Sequence, residues 1–411
     1  MTNKASQAGF YILRSLKIRP LISNSPANEL DYVDVSKTIV NWNISESINS
    51  PFISGSVTIL ESDNILEDLP ILGEEEIEIT YTDYYDETIT QKFFIYAVED
   101  IKPGNSINDR MVMYTIKFCT QQKLNSDTKE IRKSFGNTKI SDMVKPDAAM
   151  HFLSRRAYSS ENKTSSFRFF ETREKYYFCT HEYLISKYAD FEGISDDLRN
   201  RLFFIYNTVD DNTGPGQRIA QQSVNDITYG TKVDTMSDMK EGTYRRTVTE
   251  LDFGHRTRIT RTYDYTDDYE NFKAPDPVKL THSSSFVNNY MGASQAPETI
   301  LMTDFPQIGM NEGQNNQRRP YQHYYENYTT KPIIDYHMNR NAFPITINGR
   351  HGLYPGMIIN LELYKFSNTL AGTREIDRER SGKYIIMSIN NVFNGDDYKQ
   401  SLTITKGGLA K

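Results

Sequence analysis

Alternation of apolar and polar residues with a period of two is the pattern that most constrains this chain. From Glu76 to Tyr81, isoleucine or tyrosine follows every glutamate or threonine, and Val112–Phe118 alternates in the same way. Successive side chains of a β-strand point to opposite faces of a sheet, so both segments are predicted to be strands with one buried face. With a turn at Lys102–Asn105 between them, the pattern predicts an antiparallel β-barrel or sandwich over 9–124.

The same order of features returns near the end of the chain. It comprises a turn at Tyr354–Gly356, strands at Ile358–Leu363 and Lys383–Ile389, a turn at Asn394–Gly395 and a strand at Ser401–Thr405. In the first region, the corresponding aromatic strand is Phe93–Val98. This echo predicts a duplicated sheet module. The alternative, that any two antiparallel sheets share such an order, stays open at this point.

The middle of the chain changes character and predicts a small α+β domain over 125–215. Ser141 is a candidate N-cap for a helix whose length Pro146 limits. The apolar spacing from Tyr176 to Phe191 predicts an amphipathic helix. Strands are expected at Phe167–Phe170 and Arg201–Tyr206, and the Gly- and Pro-rich run Asp210–Gly216 is the clearest linker.

After the linker the pattern weakens. The segment 218–239 is expected to be helical in part, and Tyr244–Tyr265, rich in Thr, Arg, Val and Ile, is expected to form strands. The Asn-, Gln- and Gly-rich stretch 297–320 is expected to be irregular.

Charge and cysteine content limit the function classes. The formal net charge of -7 argues against a protein whose main task is to grip a phosphate backbone, which needs clustered Lys and Arg. Two cysteines, Cys119 and Cys179, cannot form a disulfide framework, so reduced, buried thiols are expected. No stretch approaches the roughly 20 apolar residues of a membrane span, and 1–7 is polar. We therefore expect folding in the cytosol, without an export signal.

Motifs that carry chemistry are absent from the sequence. It contains no phosphate-binding loop, dinucleotide fingerprint, zinc-protease motif or serine-hydrolase elbow. The seven histidines lack metal-ligand spacing and are expected to be surface or core residues: His151, His181, His255, His282, His323, His337 and His351. Only His323 and His337 could meet across a loop. No catalytic residue, cofactor or metal is therefore expected.

Charged and aromatic clusters offer weaker candidates. The carboxylates of Glu74–Glu76 and Asp267–Asp268 are expected to form a solvated or lumen-facing charge run. Glu171 and Glu174 could occupy a pocket that raises their pKa, but an exposed strand end explains them as well. A basic group could face an acidic partner or DNA, but the outer face of twisted strands is favoured: Arg245, Arg246, Arg256, Arg258 and Arg261. An aromatic group is expected to be core: Phe167, Phe169, Phe170, Tyr176, Tyr177 and Phe178.

The order of these segments resembles the baseplate central hub protein of contractile-tailed bacteriophages, which is related to the hub part of type VI secretion spikes. Gly242–Asp252 resembles the strand that opens the family's second barrel. Leu353–Leu361, Ser381–Ile386 and the end at Thr403–Lys406 resemble its closing strands. The stretch Lys279–Asn341 departs most from the family pattern.

The resemblance implies a mainly β fold with an α+β insertion and two tail-tube-like β-barrels in one chain. The implied divisions are a flexible N-terminal arm (1–8), a first barrel (9–124), the α+β domain (125–215), a second barrel split between 216–270 and 342–411, and an inserted irregular domain (271–341). It also implies a homotrimer that contacts the tail tube protein, the central spike protein and other baseplate proteins. DNA would pass through its channel without specific binding.

Other functions remain open from the sequence. A tail tube or adaptor subunit would be structural too, but tube subunits usually carry a single barrel. A tail-tip cell-wall hydrolase would need a carboxylate pair in a groove. A carbohydrate-binding module is less expected, because the single tryptophan leaves little for sugar stacking. The resemblance favours a non-enzymatic hub in the virion tail baseplate, made in the host bacterial cytoplasm, and it leaves the interface residues unknown.

Overall fold

The computed structural model describes most of the 411-residue chain. The described residues are 8–19, 32–62, 65, 71–73, 75–103, 111–130, 145–161, 164–188, 202–205, 221–229, 234–242, 244–252, 256–264, 284–290, 298–303, 329–365, 375–378 and 380–406. The predicted N-terminal arm (except Ala8), the linker Asp210–Gly216 and the proposed N-cap Ser141 lie outside these residues.

Strands dominate the described part of the chain. They are β1 (Ile12–Arg19), β2 (Val33–Asp34), β3 (Ile39–Ser47), β4 (Ser54–Glu61), β5 (Glu76–Thr82), β6 (Thr88–Pro103), β7 (Val112–Cys119), β8 (Phe167–Glu171), β9 (Tyr176–Thr180), β10 (Phe203–Ile205), β11 (Val224–Ile227), β12 (Arg245–Asp252), β13 (Thr257–Asp264), β14 (Glu298–Thr303), β15 (Phe343–Asn348), β16 (Ile358–Glu362), β17 (Gly382–Asn394) and β18 (Asp397–Thr405). The helices are α1 (Gln121–Thr128), α2 (Pro146–Arg156), α3 (His181–Tyr188), α4 (Thr235–Glu241), α5 (Ser284–Tyr290) and α6 (Thr330–Arg340). The predicted mainly β fold class is confirmed.

One curled, largely antiparallel sheet of 13 described strands organises the molecule. Its order is β11-β15-β18-β17-β3-β4-β7-β6-β5-β1-β2, and β16 joins β17 and carries β10 on its other side. Strands from both ends of the chain therefore lie side by side. Two smaller sheets have their own strand pairing, namely β13-β12-β14 and the hairpin β8-β9.

The alternation in sequence explains the strands of the main sheet. In β5 the residues Ile77, Ile79 and Tyr81 are buried, while the glutamates and threonine between them are partly exposed. A first apolar core collects such residues from β1 and β3–β7 and includes Trp42, with Phe393 and Tyr398 from the far end of the chain. A second core lies under β10, β11 and β15–β18. Because apolar burial drives folding, each core holds together the strands that contribute to it. Both cores lie on the same face of the sheet.

A third core attaches the middle of the chain to the sheet. Phe170 of β8 and Leu184 of α3 pack with Ile358, Ile385 and Met387 of β16 and β17. At the start of β17 the side chains of one face therefore enter the second core and those of the other face enter this third core. The α+β region lies over β17 at this point.

Two predictions about local elements are wrong, and a third is correct in part. Tyr176–Thr180 is a strand and the helix starts only at His181, because the aromatic rings of β9 pair across the hairpin with those of β8. The segment 218–239 is helical in part, as expected, since α4 begins at Thr235, but Val224–Ile227 is β11, which pairs with β15. Glu298–Thr303, expected to be irregular, is β14, which runs parallel to β12.

Pro146 lies at the start of a helix. It occupies the first turn of α2, where the N–H group that proline lacks would have no helical partner. Pro146 therefore begins α2, and the predicted helix from Ser141 lies outside the described residues.

The two parts of the predicted second barrel differ in the structure. Of the strands described within 216–270, β11 alone joins the main sheet, whereas β12 and β13 pair with β14. From the predicted α+β domain, β10 adds to β16. The domain boundaries as a whole stay predictions.

Candidate functional site

The main sheet contains two strand sets with the same internal order. We call β1, β3, β4, β5, β6 and β7 the first set, and β10, β11, β15, β16, β17 and β18 the second set. Numbered along the chain, both sets have the sheet order 2-3-6-5-4-1. The only difference in strand direction is that β1 is antiparallel to β5, whereas β10 is parallel to β16.

Two irregularities in pairing coincide between the sets, whereas the shift of β6 between Glu99 and Lys102 and that of β1 between Leu13 and Ser15 have no counterpart in the second set. The register of β6 against β7 shifts between Ile95 and Ala97, and that of β17 against β18 shifts between Ile386 and Ser388. The register of β3 against β4 and that of β11 against β15 each shift at the start of the strand as well. Bulges are specific features of a fold, so two shared bulges support a true structural duplication.

The two sets meet where β3 pairs with β17, and we call this pairing the joint. The first residues of β17, Gly382–Ile385, pair with β16. From Ser388 to Asn394 the same edge of β17 pairs with β3. β3 therefore occupies the edge of β17 that becomes available where β16 ends.

Aromatic stacking fixes the core face of the joint. The rings of Trp42 and Phe393, which lie directly opposite each other, stack with centroids 3.5 Å apart and planes at 1°. Phe393 also stacks on Tyr398 at 4.1 Å. All three side chains are fully buried, so this face contributes both apolar burial and ring contact.

A buried ion pair lies beneath the joint. Glu46 of β3 and Arg173, from the β8–β9 turn, approach to 2.7 Å between Oε1 and Nε, and both side chains are almost fully buried. The Arg173 guanidinium also donates to the Leu353 carbonyl at 3.1 Å. Burial raises the pKa of the Glu46 carboxyl, and the charge of Arg173 opposes part of that rise. One arginine thus links the first set, the β8–β9 hairpin and the second set.

Glu171 and Glu174, the candidate acids, have structural partners. The Glu171 carboxylate accepts hydrogen bonds from the Ile53 N–H at 3.1 Å, the Thr120 hydroxyl at 2.8 Å and the Tyr176 hydroxyl at 2.6 Å. Glu174 accepts one from the Tyr354 hydroxyl at 2.9 Å. Both carboxylates therefore tie the β8–β9 hairpin to the main sheet.

The histidines in the described residues also lie in structural settings. The His351 N–H donates to Asp83 at 2.9 Å, and burial lowers the pKa of the His351 imidazole. His181 and His337 are buried. His255, His282 and His323 lie outside the described residues, and so does the predicted approach of His323 to His337.

A second polar cluster surrounds His181 in the α+β region. The His181 Nε2 accepts from Arg168 at 3.1 Å, and Arg168 pairs with Asp335 of α6. Lys331 donates to the Phe167 carbonyl at 3.1 Å, and burial lowers the pKa of its amine to about 8. The described residues contain no group of three or more His, Cys, Asp or Glu side chains placed to hold a metal ion.

The basic cluster is divided by the three-stranded sheet. Arg245 pairs with Asp264, and Arg246 donates to the Glu241 carbonyl. Arg256, Arg258 and Arg261 are exposed on or beside β13, an edge strand in the described part of the chain. The favoured prediction, that the basic group lies on the outer face of strands, fits Arg256, Arg258 and Arg261.

The acidic and aromatic clusters are only partly as expected. Glu75 is buried and accepts the N–H groups of Leu72 and Gly73 at 2.7 and 3.0 Å, so it is not solvated. Glu74, Asp267 and Asp268 lie outside the described residues. The aromatic core prediction is correct for Phe170 but wrong for Tyr176 and Phe178, which are exposed on the hairpin's outer face.

Both cysteine thiols are free. Burial raises their pKa, to about 11 for Cys119 and to about 12 for Cys179. No described helix has the length and apolar character needed to cross a membrane.

No family model matches the sequence, and no curated protein sequence does. Among solved structures, the chain is similar to the tail protein from Neisseria meningitidis MC58, with 10% identity, coverage of 96% of each chain and a TM-score of 0.46. It is similar to the 43 kDa tail protein of prophage MuSo2 from Shewanella oneidensis, with 8% identity, coverage of 96% and 98%, and a TM-score of 0.45. It is also similar to a Francisella PdpA–VgrG complex, with 10% identity, coverage of 97% of this chain and 53% of that chain, and a TM-score of 0.40.

These structural neighbours are tail proteins and a VgrG complex, in line with the hub resemblance in the sequence. At such identities and TM-scores the likeness carries no argument about function. The duplicated strand sets and the joint are observations of this chain alone.

Proposed function

We propose that this protein is a structural baseplate hub subunit of a phage tail. Three copies would form a ring that joins a sixfold tail tube to a central spike and surrounds the DNA channel. The observation that supports the proposal is the duplicated strand order, with two equivalent sets side by side in one chain.

The duplication matters because of symmetry. A ring of three chains that each carry two equivalent sets presents six similar sheet units. Such a ring can contact a sixfold tube on one side and a threefold spike on the other. A ring of three chains without an internal repeat would present threefold symmetry on both sides. The resemblance of the sequence to tail hubs supports the number three.

The face of the sheet opposite the cores suits a channel wall. Across the joint Ser45 donates to Asn390 at 2.9 Å, and on the next strand pair Asn43 donates to Ser56 at 2.9 Å. These small, uncharged groups satisfy one another, and Lys117, which lies opposite Ser56 on the same face, is paired with Glu99 at 2.5 Å, so little unpaired positive charge faces a phosphate backbone here. We propose that this face lines the channel and lets DNA pass without specific binding.

The remaining parts of the proposal follow from the hub role. The partners would be the tail tube protein, the central spike protein and other baseplate proteins, and the location would be the tail baseplate of the virion after synthesis in the host bacterial cytoplasm. The protein would act through contacts with other proteins and not as an enzyme. The five predicted domain divisions belong to this proposal.

Native mass spectrometry of the purified full chain over a range of concentrations tests the ring. The expected species has three times the mass of one chain, and its electron microscopy images show a ring with six similar lobes. A single chain at every concentration, or a closed dimer, would contradict the proposal.

A further inference from the structure

The dipeptide Asn–Gly is chemically labile in proteins, and the sequence contains it twice, at Asn348–Gly349 and at Asn394–Gly395. Glycine has no side chain to keep the asparagine amide away from the next backbone nitrogen. The fold places the two dipeptides in opposite surroundings. One chain therefore contains an accessible Asn–Gly site and a protected one.

Asn394–Gly395 lies at an exposed hairpin tip. Asn394 is the last residue of β17 and pairs with Asp397, so Gly395 and Asp396 alone form the turn to β18. Both Asn394 and Gly395 are exposed, and Gly395 has a φ of 57°. Neither the Asn394 side chain nor the Gly395 N–H makes a hydrogen bond to a residue that the structure describes. The two reacting groups of this dipeptide are therefore unoccupied by other described residues.

Water also has access to this turn. A cleft of 620 Å³ runs beside Gly395 and Asp396 and extends to the start of β1. The Tyr11 N–H donates to the Asp396 carbonyl at 3.3 Å, so the turn is held one residue beyond Gly395. Among the described residues, nothing lies within 4 Å of the position that a Cβ of Gly395 would take.

Asn348–Gly349, in contrast, is held on both sides. The Gly349 N–H donates to the Tyr398 carbonyl at 2.7 Å, and the Asn348 side chain accepts a hydrogen bond from Asn225 at 2.8 Å. Gly349 is buried, and a Cβ on it would stand 2.1 Å from the ring of Tyr398. The Gly349 nitrogen can therefore react only when this part of the sheet opens.

We propose that Asn394 is a site of spontaneous deamidation and that the modification weakens the joint. The backbone nitrogen of Gly395 loses its proton to hydroxide and bonds to the side-chain carbonyl carbon of Asn394. The bond from that carbon to the side-chain nitrogen breaks, and the nitrogen takes up a proton and leaves as ammonia. Water then opens the five-membered succinimide ring at either carbonyl, which gives an aspartyl or an isoaspartyl residue with a new carboxylate.

The modification changes both the charge and the backbone at the end of the joint. Asn394 forms the last pair of β17 with β3, opposite Asn41, and the closing pair of the hairpin, opposite Asp397. An isoaspartyl residue lengthens the backbone by one carbon between these pairs, so the N–H and C=O groups of the strand no longer match their partners. The new carboxylate also faces that of Asp397, and like charges directly opposite on paired strands are destabilising.

Peptide mapping of the purified full chain tests the site. The protein is kept at physiological temperature and neutral pH, and mass spectrometry of digested samples follows the peptides that contain Asn394 and Asn348. The Asn394 peptide should gain the mass difference between OH and NH2 about a hundredfold faster than the Asn348 peptide, because the latter reacts only after local opening. Chromatography should resolve two products of equal mass, aspartyl and isoaspartyl. The rate should rise with pH, because the attacking nitrogen must lose its proton.

The unfolded chain provides the matched control. In concentrated urea the two dipeptides lose their different surroundings, so their rates should agree within about threefold. The variant Asn394→Gln should lack the rapid reaction, because its attack would have to close a six-membered ring, and the slow reaction at Asn348 should be unchanged. A folded chain in which Asn394 reacts no faster than Asn348 would overturn the assignment.

Urea unfolding of the products measures the effect on the joint. The variant Asn394→Asp carries the new charge without the extra backbone carbon, whereas aged protein enriched in the isoaspartyl form carries both. The unfolding midpoint of Asn394→Asp should shift slightly to lower urea, and that of the isoaspartyl form should shift further. An isoaspartyl form that unfolds at the same urea concentration as the unmodified chain would overturn the proposed weakening of the joint. Neither experiment depends on the number of chains in the assembly, so the inference stands apart from the proposed function.

Discussion

The ion pair beneath the joint gives a sharp test of how the sheet is held. Glu46 and Arg173 are both almost fully withdrawn from solvent, and their charged atoms approach to 2.7 Å. The variants Glu46→Gln and Arg173→Met each leave one buried group without its opposite charge. The double variant removes both charges at once.

The magnitudes follow from the cost of burying a charge. Removal of one partner of a buried ion pair typically lowers the free energy of unfolding by about 3–5 kcal/mol, because the other charge stays buried and uncompensated. Glu46→Gln should lower the free energy of unfolding more than Arg173→Met does. The Arg173 guanidinium then stays buried and charged, because it cannot give up its proton. Arg173→Met should be milder, because the Glu46 carboxyl, whose pKa burial already raises, can become neutral.

Urea unfolding of the wild type, the two single variants and the double variant, monitored by circular dichroism, measures the coupling energy between Glu46 and Arg173. The double variant should lose about 2 kcal/mol less than the sum of the two single variants, since contacting residues are not additive. The exposed pair Lys123 and Asp127 of α1, 2.9 Å apart, is the matched control and should contribute only a few tenths of a kcal/mol. Additive effects at Glu46 and Arg173, or single losses as small as in the control, would refute the account of the joint.

Three further predictions concern single residues. Trp42→Ala removes the ring stacked on Phe393 and should lower the free energy of unfolding by about 3–5 kcal/mol in urea. Gly55→Ala places a Cβ 2.2 Å from the Asn43 carbonyl oxygen, so a loss of about 1–3 kcal/mol is expected in the same assay. The amine of Lys331, whose pKa burial lowers from 10.5 to about 8, binds its proton less readily in the folded than in the unfolded chain. The wild type should therefore lose stability relative to Lys331→Met as pH falls from 10.5 to 8, and a constant difference in thermal unfolding would contradict this.

A related prediction concerns the proposed channel face. Replacement of Ser45 and Asn390 by lysine in the same chain should create salt-dependent binding of double-stranded DNA, measured by fluorescence anisotropy, because lysine neutralises phosphates. The unchanged protein should show no such binding. Tight binding by the unchanged protein would contradict a channel wall that lets DNA pass without specific binding.

Local periodicity predicted the strands whose burial alternates, but it could not identify their partners. Segments such as Glu76–Tyr81 show their pattern within six residues, and the structure has a strand there. The pairing of Ser45 with Asn390 joins residues 345 positions apart. No local pattern marks that contact, although the order of features in the two β regions did predict a duplication.

The errors arose where tertiary pairing outweighed local pattern. The aromatic run from Tyr176 has a spacing that suits a helix face, but the rings of Tyr176 and Phe169 stack across the β8–β9 hairpin at 5.8 Å. β14 forms next to β12, some fifty residues earlier, and β11 next to β15, more than a hundred residues later.

The buried functional residues were missed for a related reason. Arg173 showed no sequence signal, because its role depends on Glu46, which lies 127 positions earlier. Glu171 was singled out as a candidate acid from its aromatic neighbours. Its three hydrogen-bond donors come from β4, α1 and β9 or their flanks, which only the fold brings together.

A density map of the assembled protein tests the central claim most directly. The account predicts that the second strand set follows the first by a rotation of about 60° around the ring axis, within each chain and again between chains, as six equal units in three copies require. A map in which the two sets stand at unequal angles would contradict it.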